Sequence, residues 1–436
     1  MSGKSEAIPK GYKATELGLL PEDWGAAPLG SVADLVMGQS PPGATYNDTG
    51  EGQPFLQGKA EFGQLSPTHV KYTTQPLKTA PEGSVLLSVR APVGDVNIAD
   101  IDYCIGRGLA SISLRDGENR FLFYAMLYRK QALADRGSGS TFTAVNKSTL
   151  TQFEIPLPPL REQKKIAAVL ATVQDAREKT DASIAALREL RRSLMKHLFT
   201  YGPVPVDEAE KVKLKETELG ELPEHWQCEP LGQHLETIRN GLTAKQNKAG
   251  KGYPVTRIET ISEDRVNPLK VGYAEDASEK DQSKYRMLPN DILLSHINSE
   301  PQLGRTAMYE GEPEVLLHGM NLLLLRPKKS MDPAYLHYTC CMLRACGQFI
   351  RLASRAVGQS SINQGKLKRQ HVPVPPLSAQ KAIAGQLRDL EGAIEATENR
   401  KQALESLFKT LLHDLMTAKI RVNDLPAEQA GVEVPA

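Results

Sequence analysis

The stretch PLPPLREQ (Pro156–Gln163) returns as PVPPLSAQ (Pro373–Gln380), 217 positions later. It is one block of a repeat that runs through the chain. TELGLLPEDW (Thr15–Trp24) matches TELGELPEHW (Thr217–Trp226) at an offset of 202, and PLG at Pro28 matches PLG at Pro230 at the same offset. LLS at Leu86 and Leu293 gives 207, Gly108 and Gly319 give 211, and FLFY at Phe121 against YLHY at Tyr335 gives 214. From the Pro-rich stretch onward the offset stays at 217. Loops absorb insertions and packed scaffolds do not. Each copy therefore reads as a variable globular domain followed by a scaffold held in register. A tandem duplication that diverges in one part only suits two related but different ligands; neutral loop drift is the plainer alternative.

The scaffold follows Pro158–Pro159. The segment from Arg161 to Phe199 holds no Gly or Pro over 39 residues. A heptad seam falls on Ile166, Leu170, Val173, Arg177, Thr180, Ile184, Leu187, Arg191, Leu194 and Leu198. The second copy repeats it at Ile383, Leu387, Leu390, Ile394, Thr397, Lys401, Leu404, Phe408, Leu411 and Leu415. Alternating steps of four and three mark a coiled-coil seam with a few polar interruptions. A lone amphipathic helix cannot bury such a stripe, so the two most simply pack on each other. An antiparallel pairing would carry the two domains to opposite ends. At about 1.5 Å per residue the 39-residue stretch spans roughly 58 Å, more than one turn of B-DNA at about 34–36 Å. Periodicity alone fits a generic dimerising coiled coil equally well.

With 436 residues there is chain for two to four structural units. No apolar run reaches membrane-spanning length. The opening MSGKSEAIPKGYK lacks the apolar core of a secretory leader. The five cysteines, Cys104, Cys228, Cys340, Cys341 and Cys346, have no CxxC spacing and fit a reduced, cytoplasmic setting. The net charge of +1 does not announce nucleic-acid binding. Any such role must rest on local patches or on a partner's surface.

Each variable domain mixes strand-like runs (Ser84–Val89, Leu109–Leu114; Asp291–Ile297, Asn321–Arg326) with helical ones (RFLFYAMLYRKQALA; PAYLHYTCCMLRACGQFIRLA), an α/β pattern. Two loops per domain carry Arg, Lys, Asn, Gln, Ser and Thr with few acids. One follows the LLS strand and offers Arg90 and Asn97, with Arg107 nearby, and in the second copy His296, Asn298 and Arg305. The other precedes the Pro-rich stretch and offers Ser138, Ser140, Thr141, Asn146 and Lys147, and in the second copy Ser360, Ser361, Asn363, Gln364 and Lys366. Arg and Lys suit guanine edges, Asn and Gln suit adenine edges, and hydroxyls and amides hold phosphates. Any one such residue equally fits a solvated loop. The recurrence of Asn146 as Asn363 at the scaffold's own offset of 217 favours a shared role.

Catalytic signatures are missing. AGKGYP at Ala249 ends in Gly where a phosphate-binding loop needs Ser or Thr, and GSGS at Gly137 is a lone GxG. NPLK at Asn267 lacks the second Pro and the aromatic of amino-methyltransferases. No HExxH or spaced Cys/His cluster points to a metal. His197 and Asp414 hold equivalent helix positions, without a matching catalytic partner in the other copy.

The doubled TELG-LPE-W…PLG opening, the IPLPPLREQ and VPVPPLSAQ stretches and the long helix after each resemble the specificity (S) subunit of Type I restriction–modification systems, over nearly the whole chain. Ala379 departs from the first copy's Glu162, which touches only a local contact at the helix start. The resemblance implies tandem α/β (α+β) target-recognition domains, each followed by a long helix, the two helices pairing as an antiparallel coiled coil about a pseudo-twofold axis. Its boundaries would be a first recognition domain at 1–158, a first helix at 159–200, a linker at 201–214, a second recognition domain at 215–375, a second helix at 376–419 and a tail at 420–436. It implies a non-catalytic chain that binds double-stranded DNA, docks two methyltransferase subunits and is joined by restriction/translocase subunits. Those partners would use S-adenosylmethionine, ATP and Mg2+. The rival reading is a structural adaptor that docks an effector without sequence-selective DNA binding.

Overall fold

The repeat in the sequence is a repeat of hydrogen bonds. In a computed structural model, which describes residues 8–137, 144–356 and 359–424, Tyr12–Thr15 pairs with Gly18–Pro21 and Leu214–Thr217 pairs with Gly220–Pro223. Gly18 and Gly220 turn these hairpins at φ near +100°, a backbone only glycine adopts without strain. Thr15 and Thr217 each donate a hydroxyl to the turn carbonyl, at 2.8 and 2.7 Å. Trp24 and Trp226 follow and are both buried.

The Pro-rich stretch recurs because it closes each half. Glu154–Leu157 runs antiparallel to Gly25–Pro28, and His371–Val374 runs antiparallel to Gln227–Pro230. The glutamine that ends each stretch is buried and makes the same two bonds. Gln163 donates to the carbonyl of Pro158 (2.8 Å) and accepts from the Glu118 amide (3.0 Å). Gln380 donates to the carbonyl of Pro375 (3.0 Å) and accepts from the Asp332 amide (2.8 Å). Both amides begin a core helix, Asn119–Tyr128 or Pro333–Ala345. A buried amide side chain is worth keeping only where all its groups are satisfied, which explains why Gln survives in both copies.

The chain divides into two compact units, Met1–Ala182 with Glu398–Ala436, and Ser183–Thr397. The first holds a four-stranded sheet in the order Val96–Ile98, Val85–Ser88, Leu109–Leu114, Ala33–Met37. A five-stranded sheet that includes Gln53–Leu56 and Tyr103–Ile105 completes it. The second unit has a six-stranded sheet in which Leu235–Asn240, Leu322–Pro327, Ile292–Ser295 and Thr306–Met308 are successive neighbours. The runs VLLS and ILLS are buried at every position, as expected of strands covered on both faces. The helical run expected after Asp332 breaks into Pro333–Ala345 and Gln348–Leu352, because Gly347 takes a left-handed φ of +71°.

Two long helices carry the seam: α1, Leu160–Tyr201, and α2, Leu377–Met416. The chain leaves α1 at Gly202, φ +87°, whose amide bonds to the Leu198 carbonyl, a left-handed glycine stop. No seam residue of either helix is exposed. Ile166, Leu170, Ile184, Leu198, Ile383, Leu387, Phe408 and Leu415 are buried, and Val173, Leu187, Leu194, Leu390, Ile394, Leu404 and Leu411 are half-buried. Both helices cross the division between the units. Among the described residues no helix is long and apolar enough to cross a membrane.

Candidate nucleic-acid interface

In each unit the two polar loops singled out in the sequence are hydrogen-bonded to one another. In the first, Arg90 bridges to Ala144, and the Val145 amide donates to the carbonyl of Val89 (2.9 Å). In the second, Ile297–Asn298, Gln359–Ser361 and Ser354–Ala356 form a three-stranded sheet, and the Ile362 amide donates to the carbonyl of His296 (2.8 Å).

A third loop joins each cluster. The Gln39 amide donates to Ile105, and the Leu242 amide donates to His318. The glycines beside them have no room for a side chain. A Cβ on Gly38 would lie 2.2 Å from the Gly106 carbonyl oxygen, and one on Gly241 would lie 2.1 Å from that of Gly319. This match sets the register. Gly106, not Gly108, is the counterpart of Gly319, an offset of 213 rather than the 211 expected from the sequence. A further match recurs at an offset of 200. Asn47 and Asn247 each donate their amide to the backbone four residues on, at 2.8 Å, and accept two amides, with φ above +70° at Gly50, Gly52, Gly250 and Gly252. The pattern N-x-x-G-x-G-x-P was present in the sequence to find it.

The expected contact residues separate into two groups. Arg90, Arg107 and Lys147 are exposed, Arg305 is half-buried, and among the described residues none of their charged ends has a partner. Asn298, Ser361 and Gln364 are half-buried at the same loops. Gln364 donates to Asn240 Oδ1 at 3.0 Å, bringing a second amide to the cluster. Lys366 is exposed and its Nζ reaches the Leu352 carbonyl and Ser354 Oγ, both at 3.3 Å.

The other group holds the loops in shape. Asn97 is 1% exposed; its Oδ1 accepts from the Gly63 amide (3.0 Å) and its Nδ2 donates to the carbonyls of Gly63 and Val96. With its amide saturated, it has nothing left to offer a base. His296 is buried and burial pushes its imidazole down, toward the neutral form. Ser360 is buried in its strand. Asn146 and Asn363 are exposed, but each caps a short helix, accepting from Thr149 N (2.9 Å) and Gly365 N (2.7 Å). Their shared offset records a shared cap. Ser138, Ser140 and Thr141 lie outside the described residues. The clusters present cations, amides and hydroxyls on fixed backbone. That equips them to hold phosphates and base edges.

A family model described as the Type I restriction modification DNA specificity domain matches residues 21–187 and 223–406. The putative type I restriction enzyme MjaX specificity subunit of Methanocaldococcus jannaschii is 46% identical over 230 residues, 50% of this chain and 54% of that protein. This chain's match thus spans about half the length of that relative. The MjaVIII specificity subunit of the same organism is 23% identical over 420 residues, 93% of this chain and 95% of that one. The crystal structure of a Type-I restriction-modification system S subunit from M. genitalium shares the fold, with a TM-score of 0.61 over 90% of this chain and 96% of that chain, at 17% identity.

Proposed function

This chain belongs to the family of Type I restriction modification DNA specificity domains, and from that premise we propose that it is the DNA-specificity subunit of a Type I restriction–modification complex. Each unit binds one half of a bipartite site in double-stranded DNA. The observation that carries this reading is that the family match occurs twice, each time covering a set of interlocked polar loops and the start of a long helix.

In this reading α1 and α2 pair antiparallel as a coiled coil. Contacts inside each unit support it. In the first unit Asp181 pairs with Lys401 (2.7 Å) and Arg177 lies over the ring of Phe408 (5.0 Å). In the second, Arg191 pairs with Glu391 (2.7 Å). Early α1 thus meets late α2, and late α1 meets early α2. The 42 residues of α1 extend about 63 Å, long enough to set the gap between half-sites and to dock two methyltransferase subunits. Restriction/translocase subunits join that assembly. Methylation and ATP-dependent cleavage belong to the partners.

Co-expression with the cognate methyltransferase subunit in a methylation-free host, followed by long-read mapping of modified adenine, tests the proposal. A split motif with a fixed gap, lost when this chain is omitted, is the expected result. Methylation that is unchanged without the chain would sink it. Replacing residues 1–155 by the first domain of a relative changes one half-site only, and one extra heptad in both helices lengthens the gap.

A further inference from the structure

Arg107 and Met320 stand at the same place in the two units. Each follows a buried glycine packed closely on a neighbouring backbone carbonyl. Gly106 lies over Gln57, whose carbonyl oxygen a Cβ would meet at 3.0 Å, and Gly319 lies over Thr256, at 2.1 Å. Each glycine amide is tied across the same gap: Gly106 N to the Leu56 carbonyl and Gly319 N to Thr256 Oγ1, both 2.8 Å. The amides of Arg107 and Met320 are also held, by Ser40 Oγ at 3.3 Å and by the Leu242 carbonyl at 3.0 Å. A buried leucine follows two residues later, Leu109 or Leu322. Between these fixed points both side chains are exposed. The Arg107 guanidinium has no partner among the described residues, and Met320 is 44% exposed despite being apolar.

A residue kept for packing is buried, and one kept for a turn is small or polar. Neither describes Met320. Asn321 takes a left-handed φ of +71° just after it, a conformation asparagine adopts more readily than other side-chain-bearing residues. The frame is conserved between the units while the displayed side chain changes from a cation with five N–H donors to a flexible thioether. That is the pattern expected of two readers that share a scaffold and differ in target.

We infer that this displayed position reads a base in each half-site, Arg107 by paired hydrogen bonds to the O6/N7 edge of a guanine and Met320 by apolar contact with the 5-methyl group of a thymine. The inference rests on the DNA-specificity reading above. Arg matches the guanine edge bidentately, and the thymine methyl is the one apolar feature of the major groove. The position adds a specificity determinant to each half and assigns the two opposite chemistries.

The test uses the full chain co-purified with its methyltransferase subunit, selected against a randomised duplex library. In the wild type, a two-part preference is expected; its absence overturns the specificity reading itself. Arg107→Ala should relax one base pair of the first half-site roughly tenfold, within the range for a lost bidentate contact, and leave the second half-site unchanged. Met320→Ala should relax one A·T pair of the second half-site severalfold, while Met320→Leu keeps the preference. Replacing that thymine by deoxyuridine removes only the methyl. Binding of the wild type should fall, and binding of Met320→Ala should not fall further. A two-part preference that both alanine variants leave intact overturns this inference alone. So does a change in the wrong half-site, or equal deoxyuridine losses in wild type and variant. If Arg107→Ala does not assemble, Arg107→Lys supplies the first-half arm, losing bidentate discrimination while keeping the charge.

Discussion

Arg421 grips Glu162 with two hydrogen bonds, Nε to Oε1 and Nη2 to Oε2, both 2.8 Å, across 259 residues of chain. Its guanidinium also reaches both oxygens of Asp23, and Trp24 Nε1 donates to Glu162 Oε2 at 3.0 Å. Glu162 is 3% exposed. The second unit has neither carboxylate nor arginine at the same place. Ala379 stands for Glu162, His225 for Asp23, and residues 202–205 after α1 hold no ionisable side chain. Charges have therefore been gained or lost together.

Removing one partner of a buried ion pair strands the other, at a cost of about 3–5 kcal/mol; removing both is far milder. Arg421→Ala should destabilise the first unit by about 3 kcal/mol. The double change Arg421→Ala with Glu162→Ala should lie closer to wild type than either single variant. Urea unfolding followed through Trp24 fluorescence in a Trp226→Phe background measures this. Additive single-variant effects would contradict it.

This contact shows what the sequence could and could not disclose. The exchange of Glu162 for Ala379 was visible, but its partner sits in a stretch that carries no periodicity and no repeat. The scaffold was legible because packing enforces a heptad over forty residues. The strands Val85–Ser88 and Leu109–Leu114 were legible because continuous apolar runs survive divergence. The polar loops were legible only in composition. Asn97 looks like an adenine reader on paper, yet its amide is spent on Gly63. The recurrence of Asn146 as Asn363 carries a recurrent helix cap, which composition alone does not reveal. Met320 carries no signal in sequence, because a methionine between Gly and Asn announces nothing until the backbone shows that it is displayed.

Glu391 is the hinge of a second polar cluster. It accepts Nε and Nη2 of Arg191 (3.0 and 2.7 Å) and the hydroxyl of Tyr338 (2.8 Å). Glu391 and Arg191 are each no more than a quarter exposed. Glu391→Ala takes the hydrogen-bond acceptor from the phenol and from the guanidinium, which keeps the longer ion pair to Asp264 (3.9 Å). It should cost the second unit about 2–4 kcal/mol. Lys401→Ala removes an ion pair of similar length to Asp181, but one whose side chains are 39% and 34% exposed, where solvent screening leaves such pairs little value. Its unfolding midpoint should stay within error of wild type. Parallel denaturation of the two variants decides whether burial or geometry sets the value of a helix–helix pair.

Acid should weaken the second unit before carboxylate chemistry does. His318 is fully buried, its Nε2 lies 3.1 Å from the Leu322 carbonyl, and its Nδ1 has no partner among the described residues. Burial pushes its pKa down to about 4, and burial pushes His296 and His337 down as well. A histidine held neutral in the fold binds fewer protons folded than unfolded. Its stabilisation is complete above the unfolded value near 6.5 and is lost as pH falls from there toward 4, by about 3 kcal/mol for His318 alone. In a Trp24→Phe background, Trp226 fluorescence should report a falling melting temperature between pH 6.5 and 4. His318→Gln should flatten that slope. An unchanged slope would mean that burial does not shift this ring and that it takes up its proton at the same pH folded and unfolded.

The loop frame makes the last prediction, through two glycines with different reasons to be glycine. At Gly241 a Cβ would meet the carbonyl oxygen and carbon of Gly319 at 2.1 and 2.2 Å, backbone atoms that cannot step aside as a side chain can. At Gly250 nothing lies within 4 Å, and only the φ of +76° disfavours a side chain. Gly250→Ala should therefore cost about 1 kcal/mol, the local price of a left-handed alanine, and leave DNA selection unchanged. Gly241→Ala must push the Gly319–Asn321 segment away from Leu242. It should cost more than Gly250→Ala and relax selection in the second half-site, though residue 241 itself presents no side chain to DNA. Gly38→Ala should do the same to the first half-site, since its Cβ meets the Gly106 carbonyl at 2.2 Å. Selection against a duplex library, with melting temperature measured on the same preparations, separates the two effects. Wild-type selectivity in Gly241→Ala would show that the loop bearing Met320 can move without consequence for recognition.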